Sequence, residues 1–334
     1  MRPVRCAVVG VGMVGRQHVR ILSDLPDAEL VGCCDVDPAR AADLPPGVAF
    51  TPSLDKALGW PGLEAVVVCV PQHLHRTVVE PALAAGLSVL CEKPIADSLA
   101  DADAMIAAAR DAPGTLVIGH TLRFDPDFVA ARAAVRDGEL GDVVSVAARW
   151  QAPDYEGRVI SGRATVAQEM MIHDFDLVRW IVGEVERVYA EASPIEVVGP
   201  GPDALVATLR LERGAVGVFD HGWIAPSKSG LGSEHRLALF GTRGALFVES
   251  RDTPLTLYGS DGFARVNTRY YPSAEVVPAG ALANEDRHFL LTVRGHRPWP
   301  LELADARAAL ACAAAVERSL IDGTPVDLTQ PACR

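Results

Sequence analysis

A short apolar run, Val4 to Val9, passes directly into Gly10-Val11-Gly12-Met13-Val14-Gly15, and this juncture constrains the fold more than any other stretch of the 334-residue chain. A continuous apolar run, unlike an alternating one, reads as a strand buried on both faces and so as part of a parallel sheet covered by helices. In the turn that follows, Gly10 permits a tight bend, Gly12 lets a pyrophosphate approach the backbone and Gly15 lets helix and strand pack closely. Met13 and Val14 complete the cofactor-facing loop, and the helix N-terminus turns its free N–H groups and positive dipole end toward the phosphates. About 20 residues further on, the second strand ends Cys33-Cys34-Asp35, where a carboxylate accepts hydrogen bonds from an adenosine ribose. Dinucleotide binding is the reading that unites strand, loop, helix and acid; the alternative is a tight turn with an unrelated acidic residue. Asp35 repels a 2′-phosphate and favours NAD, while Arg40 nearby keeps NADP as the alternative. Asp37 either shares the ribose or, with Pro38, starts a helix.

Similar runs recur at Leu30 to Cys34, Ala65 to Val70, Ser88 to Cys91 and Leu116 to Ile118, separated by amphipathic stretches with Ser53 and Ser98 as N-caps and Gly86 past a C-terminus. Residues 1–120 therefore read as a doubly wound α/β domain, the N-terminal Rossmann domain. Beyond Gly119 the rhythm changes: a helix from Asp127 to Arg136, a strand from Val143 to Trp150 and a helical stretch from Val166 to Val182. Strand-like runs follow at Val185 to Glu191, Ala204 to Leu211, Ala215 to Gly222, Arg236 to Phe240 and Ala245 to Glu249. Strands without intervening helices predict an α+β domain over 121–334 with a large, mostly antiparallel open sheet. Two helices, Leu282 to Arg294 and Ala304 to Ile321, close the chain, and the last of them packs back on the first domain in one arrangement.

Lys+Arg 31 against Asp+Glu 43 gives a net charge of −12, which repels polyanions and argues against a nucleic-acid partner. Hydrophobic residues at 49% supply a core, and charged residues at 22% match an ordinary globular protein. Cys 7 is an odd count, and Cys6, Cys33, Cys34, Cys69, Cys91, Cys312 and Cys333 contain no CxxC pair; a reduced, cytoplasmic chain without a metal site is expected. Arg2 and Arg5 before an apolar run imitate a signal peptide, but Arg16, Gln17 and His18 interrupt it early. No stretch stays apolar for the ~18 residues that a membrane span needs.

The next strands end in Val70-Pro71-Gln72-His73-Leu74-His75 and Leu90-Cys91-Glu92-Lys93-Pro94. Ligands bind beyond the carboxyl ends of parallel strands, so Pro71, His75, Glu92 and Lys93 are expected to border the cofactor. Glu169 and His173 are spaced i, i+4 in a helical pattern and share a face.

The ordered set Gly10-x-Gly12-x-x-Gly15-x-x-His18, Pro71 with His75, Glu92-Lys93-Pro94, Arg123-Phe124-Asp125-Pro126 and His173-Asp174-Phe175-Asp176 resembles the family named after glucose-fructose oxidoreductase, inositol dehydrogenase and the rhizopine-catabolism protein. The resemblance continues through Gly241-Thr242-Arg243-Gly244 and Phe289, Val293-Arg294-Gly295 and Pro325-Val326, and so covers essentially the whole chain. It implies NAD(P)-linked oxidation of a hydroxyl, or reduction of a ketone, on a cyclitol or sugar (inositol-like, aminosugar or nucleotide sugar). It also implies a C-terminal domain that carries the substrate pocket and assembles a homodimer or homotetramer. Lys93 matches the family's catalytic lysine and His173 its catalytic histidine. Glu169 stands where many members carry Asp, and an extra methylene matters because catalytic positioning is sensitive to shifts of ~1 Å. Ser161-Gly162-Arg163-Ala164-Thr165 replaces a Gly-rich approach to this helix.

Chemistry reaches the same residues. Histidine, with an unperturbed pKa of ~6.5, takes the hydroxyl proton at neutral pH; a carboxylate one turn away orients it. A lysine beside the nicotinamide stabilises developing alkoxide charge. Arg123 either reaches substrate oxygens or braces the domains, and Tyr155 is a substrate-side candidate. Asp176 is expected to orient or cap, Asp174 to be solvated, and His75 to shape the cofactor pocket or serve structure alone. His18, His120, Arg149, His221 and Trp223 are further pocket candidates. Two rival functions stand beside the dehydrogenase: an NAD-dependent glycosidase of the same family, and a non-catalytic NAD-binding sugar sensor.

Overall fold

The computed structural model describes residues 2–227, 232–251, 255–259, 262–266 and 278–329, with the backbone alone at 250, 251, 255–259 and 262–266. The chain divides into one unit of Met1–Thr121 with Tyr270–Arg307 and another of Leu122–Arg269 with Ala308–Arg334.

In the first unit, β1 (Val4–Val9), β2 (Ala28–Cys34), β3 (Ala49–Thr51), β4 (Ala65–Val68), β5 (Ser88–Glu92) and β6 (Leu116–Gly119) form an all-parallel sheet of order β3-β2-β1-β4-β5-β6. The apolar runs are buried as expected: Cys6, Val8, Val67 and Cys91 are closed to solvent. Parallel pairing requires crossovers, here through α1 (Met13–Asp24), α2 (Leu54–Leu58), α3 (His75–Ala84) and α4 (Leu99–Arg110). Ser53 and Ser98 cap α2 and α4 by accepting the Lys56 and Asp101 N–H groups. The strand order reverses between β1 and β4, which opens the ligand crevice beyond their carboxyl ends. α8 (Ala281–Val293) joins this unit, and its Leu282, Phe289 and Leu290 sit in the same core as Val8, Val19 and Ile21. Each such side chain contributes roughly 1.5–3 kcal/mol by burial.

The second unit contains α5 (Pro126–Arg136), β7 (Val143–Pro153), α6 (Asp154–Ile160), α7 (Ile172–Ile181), β8 (Val185–Ala192), β9 (Ala204–Leu211), β10 (Val216–Ala225), β11 (Glu234–Gly241) and β12 (Ala245–Arg251). A two-stranded ribbon follows, β13 (Leu255–Gly259) with β14 (Gly262–Val266), then α9 (Leu303–Asp322), within which the unit boundary falls, and β15 (Val326–Asp327). The large sheet runs β12-β11-β7-β10-β9-β8-β15. It is antiparallel except at β7 with β10, which pair in parallel. Alternation is clean on β9, where Leu205, Ala207, Leu209 and Leu211 are buried and Val206, Thr208 and Arg210 exposed. α5, α6 and α7 cover the buried face, where Phe175 of α7 meets Phe219 of β10 at 5.1 Å between ring centres.

Sequence reading left β3, α6 and β13 to β15 unassigned. β3 and β15 are too short to show a pattern, and α6 carries Gly157 and the β-branched Val159 and Ile160, which weaken helix propensity. No helix among the described residues is long and apolar enough to cross a membrane. Cys333 lies outside the described residues; the other six cysteines are free thiols.

Candidate active site

The glycine loop meets the demands of a dinucleotide. Gly10 adopts φ +91°, and a Cβ there would come within 2.7 Å of the Cys69 backbone. At Gly15 a Cβ would lie 1.9 Å from the Gly10 carbonyl oxygen, so the close turn excludes any side chain. At Gly12, by contrast, a Cβ would meet no protein atom within 4 Å; the space is free for a ligand phosphate. Met13 and Val14 are exposed beside it. Asp35 accepts the Val11 N–H on Oδ2 at 2.6 Å and the Asp37 N–H on Oδ1 at 2.9 Å, which ties the loop to the end of β2. Each oxygen keeps a lone pair for a ribose hydroxyl. These residues fit NAD. Asp37 caps the turn that follows: its side chain accepts the Ala39 N–H at 3.0 Å.

Pro71 is exposed in the loop that follows β4, whereas His75 is buried. His75 Nε2 lies 3.0 Å from the Val70 carbonyl oxygen and Nδ1 2.9 Å from that of Pro94, so the ring links the loops that follow β4 and β5. Burial holds its pKa below the ordinary histidine value.

Lys93 directly follows β5, partly buried, with its backbone N–H donated to Glu92 Oε2 at 3.1 Å. The Glu92 side chain turns inward, and its Oε1 lies 3.1 Å from His18 Nε2. His18 Nδ1 lies 2.8 Å from Asp286 Oδ1 on α8. Burial opposes a charge on His18, but Asp286 and Glu92 outweigh it and carry its pKa well above 6.5. Burial likewise opposes the Glu92 charge, and His18 outweighs it and draws Glu92 below its usual value. The adjacent Glu285, which accepts the Thr121 hydroxyl at 2.8 Å, is pushed well upward by burial and by Glu92. His120, another pocket candidate, is buried after β6.

In the second unit, Glu169 lies in a π turn, Ala167–Met171, immediately before α7, and the Ile172 N–H reaches back to the Ala167 carbonyl. Such turns concentrate at functional sites. Glu169 and His173 are both partly buried. The His173 imidazole rests on the Trp150 indole at 5.2 Å between ring centres. Asp174 is fully buried rather than solvated: Oδ1 accepts from His235 Nε2 at 2.9 Å, and Oδ2 lies 3.0 Å from His221 Nε2. Burial raises its pKa, yet His235 and His221 outweigh it and hold the carboxyl well below the usual range.

Three of the candidates are engaged with other side chains. Arg123 is 4% exposed and bound to Asp176 through two bonds, Nε to Oδ2 at 2.8 Å and Nη2 to Oδ1 at 2.7 Å, with its guanidinium over the Trp180 ring. A pair so enclosed holds turn and helix residues of this unit together. Arg149 points to the outer face of the sheet, paired with Asp220 at 3.2 Å in a groove of about 360 Å³; the period of two turns it away from Trp150. Trp223 is buried and donates to Asp203 Oδ1 at 2.6 Å. Tyr155, on α6, is exposed and donates to Glu156 at 3.2 Å. Glu156, which sequence reading did not single out, is raised by burial and by the nearby Glu169 carboxylate. Trp150 and His235 also escaped it, because their roles follow from strand register. Among the described residues no cluster of His, Cys, Asp and Glu has the arrangement of a metal site.

The comparisons with known proteins cover both units. Residues 4–120 match the model of the oxidoreductase family with an NAD-binding Rossmann fold, and residues 128–247 match the GFO/IDH/MocA C-terminal domain. A myo-inositol 2-dehydrogenase of Thermotoga maritima is 30% identical over 98% of this chain and 99% of its own length. A myo-inositol dehydrogenase of Streptomyces leeuwenhoekii is 32% identical over 95% and 98%. The crystal structure of GenD2 from gentamicin A biosynthesis, in complex with NAD, superposes with a TM-score of 0.85 at 26% identity, covering 98% of this chain and 97% of that one. With the glycine loop, the Glu92-Lys93-Pro94 strand end and the His173 helix all in place, and relatives similar over their full length, the chain belongs to the GFO/IDH/MocA oxidoreductase family.

Proposed function

We propose that the protein is an NAD-dependent dehydrogenase or ketoreductase that acts on a secondary alcohol of a cyclitol or sugar, with inositols first among its substrates. The carrying observation is the dinucleotide loop with Lys93 held two strands away in the same sheet, β1-β4-β5, in a chain similar throughout to inositol dehydrogenases. Bound NAD supplies a nicotinamide that accepts hydride from the substrate carbon. The Lys93 ammonium donates to the reacting oxygen and stabilises its growing negative charge. His173 takes the hydroxyl proton, and Glu169, one turn earlier, orients the imidazole and stabilises its protonated form. In reduction the proton moves the other way. The exposed Tyr155 is the candidate in this scheme for a contact with the substrate.

The outer face of the large sheet exposes Val216, Val218, Phe240 and Phe247, and an apolar face of this kind supports a homodimer or homotetramer. Free thiols at Cys6, Cys33 and Cys91 support a reducing, cytoplasmic setting.

The test is NADH formation with NAD and, separately, NADP across myo-inositol, scyllo-inositol, glucose, aminosugars and nucleotide sugars. Turnover of a cyclitol or free sugar is expected. Silence with calorimetric NAD binding intact overturns the reading; release of an aglycone without accumulating NADH identifies a glycosidase, and binding with neither identifies a sensor.

A further inference from the structure

His235 on β11, Trp150 on β7 and His221 on β10 are directly opposed in the sheet register, forming one row across three adjacent strands. Directly opposed residues project to the same face, here the one that α7 covers. Asp174 reaches this row from the helix and engages both of its outer members, His235 Nε2 at 2.9 Å and His221 Nε2 at 3.0 Å. Trp150, the middle member, stacks on His235 with 4.6 Å between ring centres and 29° between planes, and its indole N–H donates to Ser233 Oγ. His173, one residue before Asp174, lies on the same indole.

A fully buried carboxylate is costly unless its partners compensate it. In this unit the compensation comes from two side chains that flank the platform under His173. We propose that Asp174, acting through His235, His221 and Trp150, is the positioning residue of His173: its two contacts fix the first turn of α7 over the sheet, and the indole fixes the plane of the imidazole. The proposal rests on the reading of His173 as the proton-accepting group. An imidazole held this way gives up its rotational freedom on folding instead of during turnover, where misplacement by ~1 Å costs up to about a hundredfold in rate.

The experiment compares His235→Phe, which keeps an aromatic ring on Trp150 but removes the donor to Asp174, with His235→Gln, which keeps a donor at similar reach. His235→Phe is expected to lower kcat about tenfold or more with KM for NAD unchanged, and His235→Gln to restore most of the rate. In protein carrying labelled histidine, the His173 ring resonance of the wild type and of His235→Gln is displaced by the indole ring current; in His235→Phe it moves toward the free-histidine position. The resonance reports on positioning whether or not His173 takes a proton, whereas full activity in His173→Ala defeats the proton-acceptor reading alone. Trp150→Leu, which removes the indole and leaves the histidine–aspartate contacts, is expected to release the resonance as well. An undisplaced wild-type resonance overturns the proposal. So does a His235→Phe protein with wild-type kcat and resonance, or a Trp150→Leu protein whose His173 signal does not move.

Discussion

His18 and Glu92 form a buried contact, Nε2 to Oε1 at 3.1 Å, and the other oxygen of Glu92 holds the backbone of Lys93. The helix that follows the glycine loop and the strand end that bears Lys93 are thus fixed to each other through a single carboxylate. Asp286 completes the arrangement on the far side of the ring at 2.8 Å.

This contact sets a pH dependence of stability. The folded-state pKa of His18 stands above its ordinary 6.5, so the fold binds a proton that the unfolded chain releases near that value. The resulting stabilisation is complete below pH 6.5 and is lost as pH rises toward the folded-state value. Glu285, raised above its ordinary 4.5, acts in the same direction. The urea midpoint is therefore expected to fall on the alkaline side of neutrality. His18→Leu should cost ~3–5 kcal/mol by stranding two carboxylates and should flatten the alkaline decline. A variant with an unchanged midpoint, or an alkaline decline as steep as the wild type's, contradicts this account.

Two glycines of the same loop should respond in opposite ways. Gly12→Ala adds a methyl where no protein atom lies within 4 Å, so the melting temperature is expected to hold while NAD affinity, read by calorimetry, drops about tenfold or more through lost phosphate approach. Gly15→Ala places its Cβ 1.9 Å from the Gly10 carbonyl oxygen and should cost about 1–3 kcal/mol of stability. Equal effects on affinity and stability at both positions would remove the distinction.

The contrast between these glycines and the His173 platform shows what sequence can carry. The loop is local: strand, turn, helix and Asp35 occupy one continuous stretch, and each residue type is dictated by its own backbone or its immediate neighbour. His18 and Asp286 are 268 positions apart, and no local pattern pairs them. His235, Trp150 and His221 meet only through the register of β11, β7 and β10, which depends on the whole sheet. Arg149 and Trp150 face opposite sides for the same reason, since a shift of one residue along a strand reverses the face. Arg123 was legible as an important residue but not as a buried one, because its partner Asp176 lies 53 positions away.

That pairing is itself testable. Arg123→Met takes both guanidinium bonds from the buried Asp176, which is expected to cost ~3–5 kcal/mol. Arg123→Met with Asp176→Leu replaces both charges by apolar side chains and should recover much of the loss. Substrate KM in the double variant is expected to stay near the wild-type value. A rise in KM without loss of stability in Arg123→Met would return Arg123 to the substrate.

Cofactor choice should turn on Asp35. Asp35→Asn keeps an oxygen to accept the Val11 N–H but removes the charge that repels a 2′-phosphate. The ratio of kcat/KM for NAD to that for NADP is expected to fall about tenfold or more, chiefly through a lower KM for NADP. An unchanged ratio would shift discrimination to other residues, with Arg40, ion-paired to Asp37 at 3.3 Å, the first to examine.

Removing the groups assigned to chemistry should separate binding from turnover. Lys93→Met deletes the ammonium but keeps the length and the backbone N–H that Glu92 holds, and His173→Asn deletes the base while keeping a polar side chain on the helix. Positioned acid–base groups typically contribute 10²–10⁴-fold in rate, so each variant is expected to lower kcat by about that factor. NAD affinity by calorimetry should stay within about threefold of wild type, because the loop and Asp35 are untouched. In wild type, kcat/KM for alcohol oxidation should rise with pH as the proton-accepting group of the enzyme loses its proton, and this limb should disappear in His173→Asn. A variant that keeps wild-type kcat removes its residue from the mechanism, and a surviving limb in His173→Asn assigns the proton to another group, with Glu156 beside Glu169 the nearest candidate.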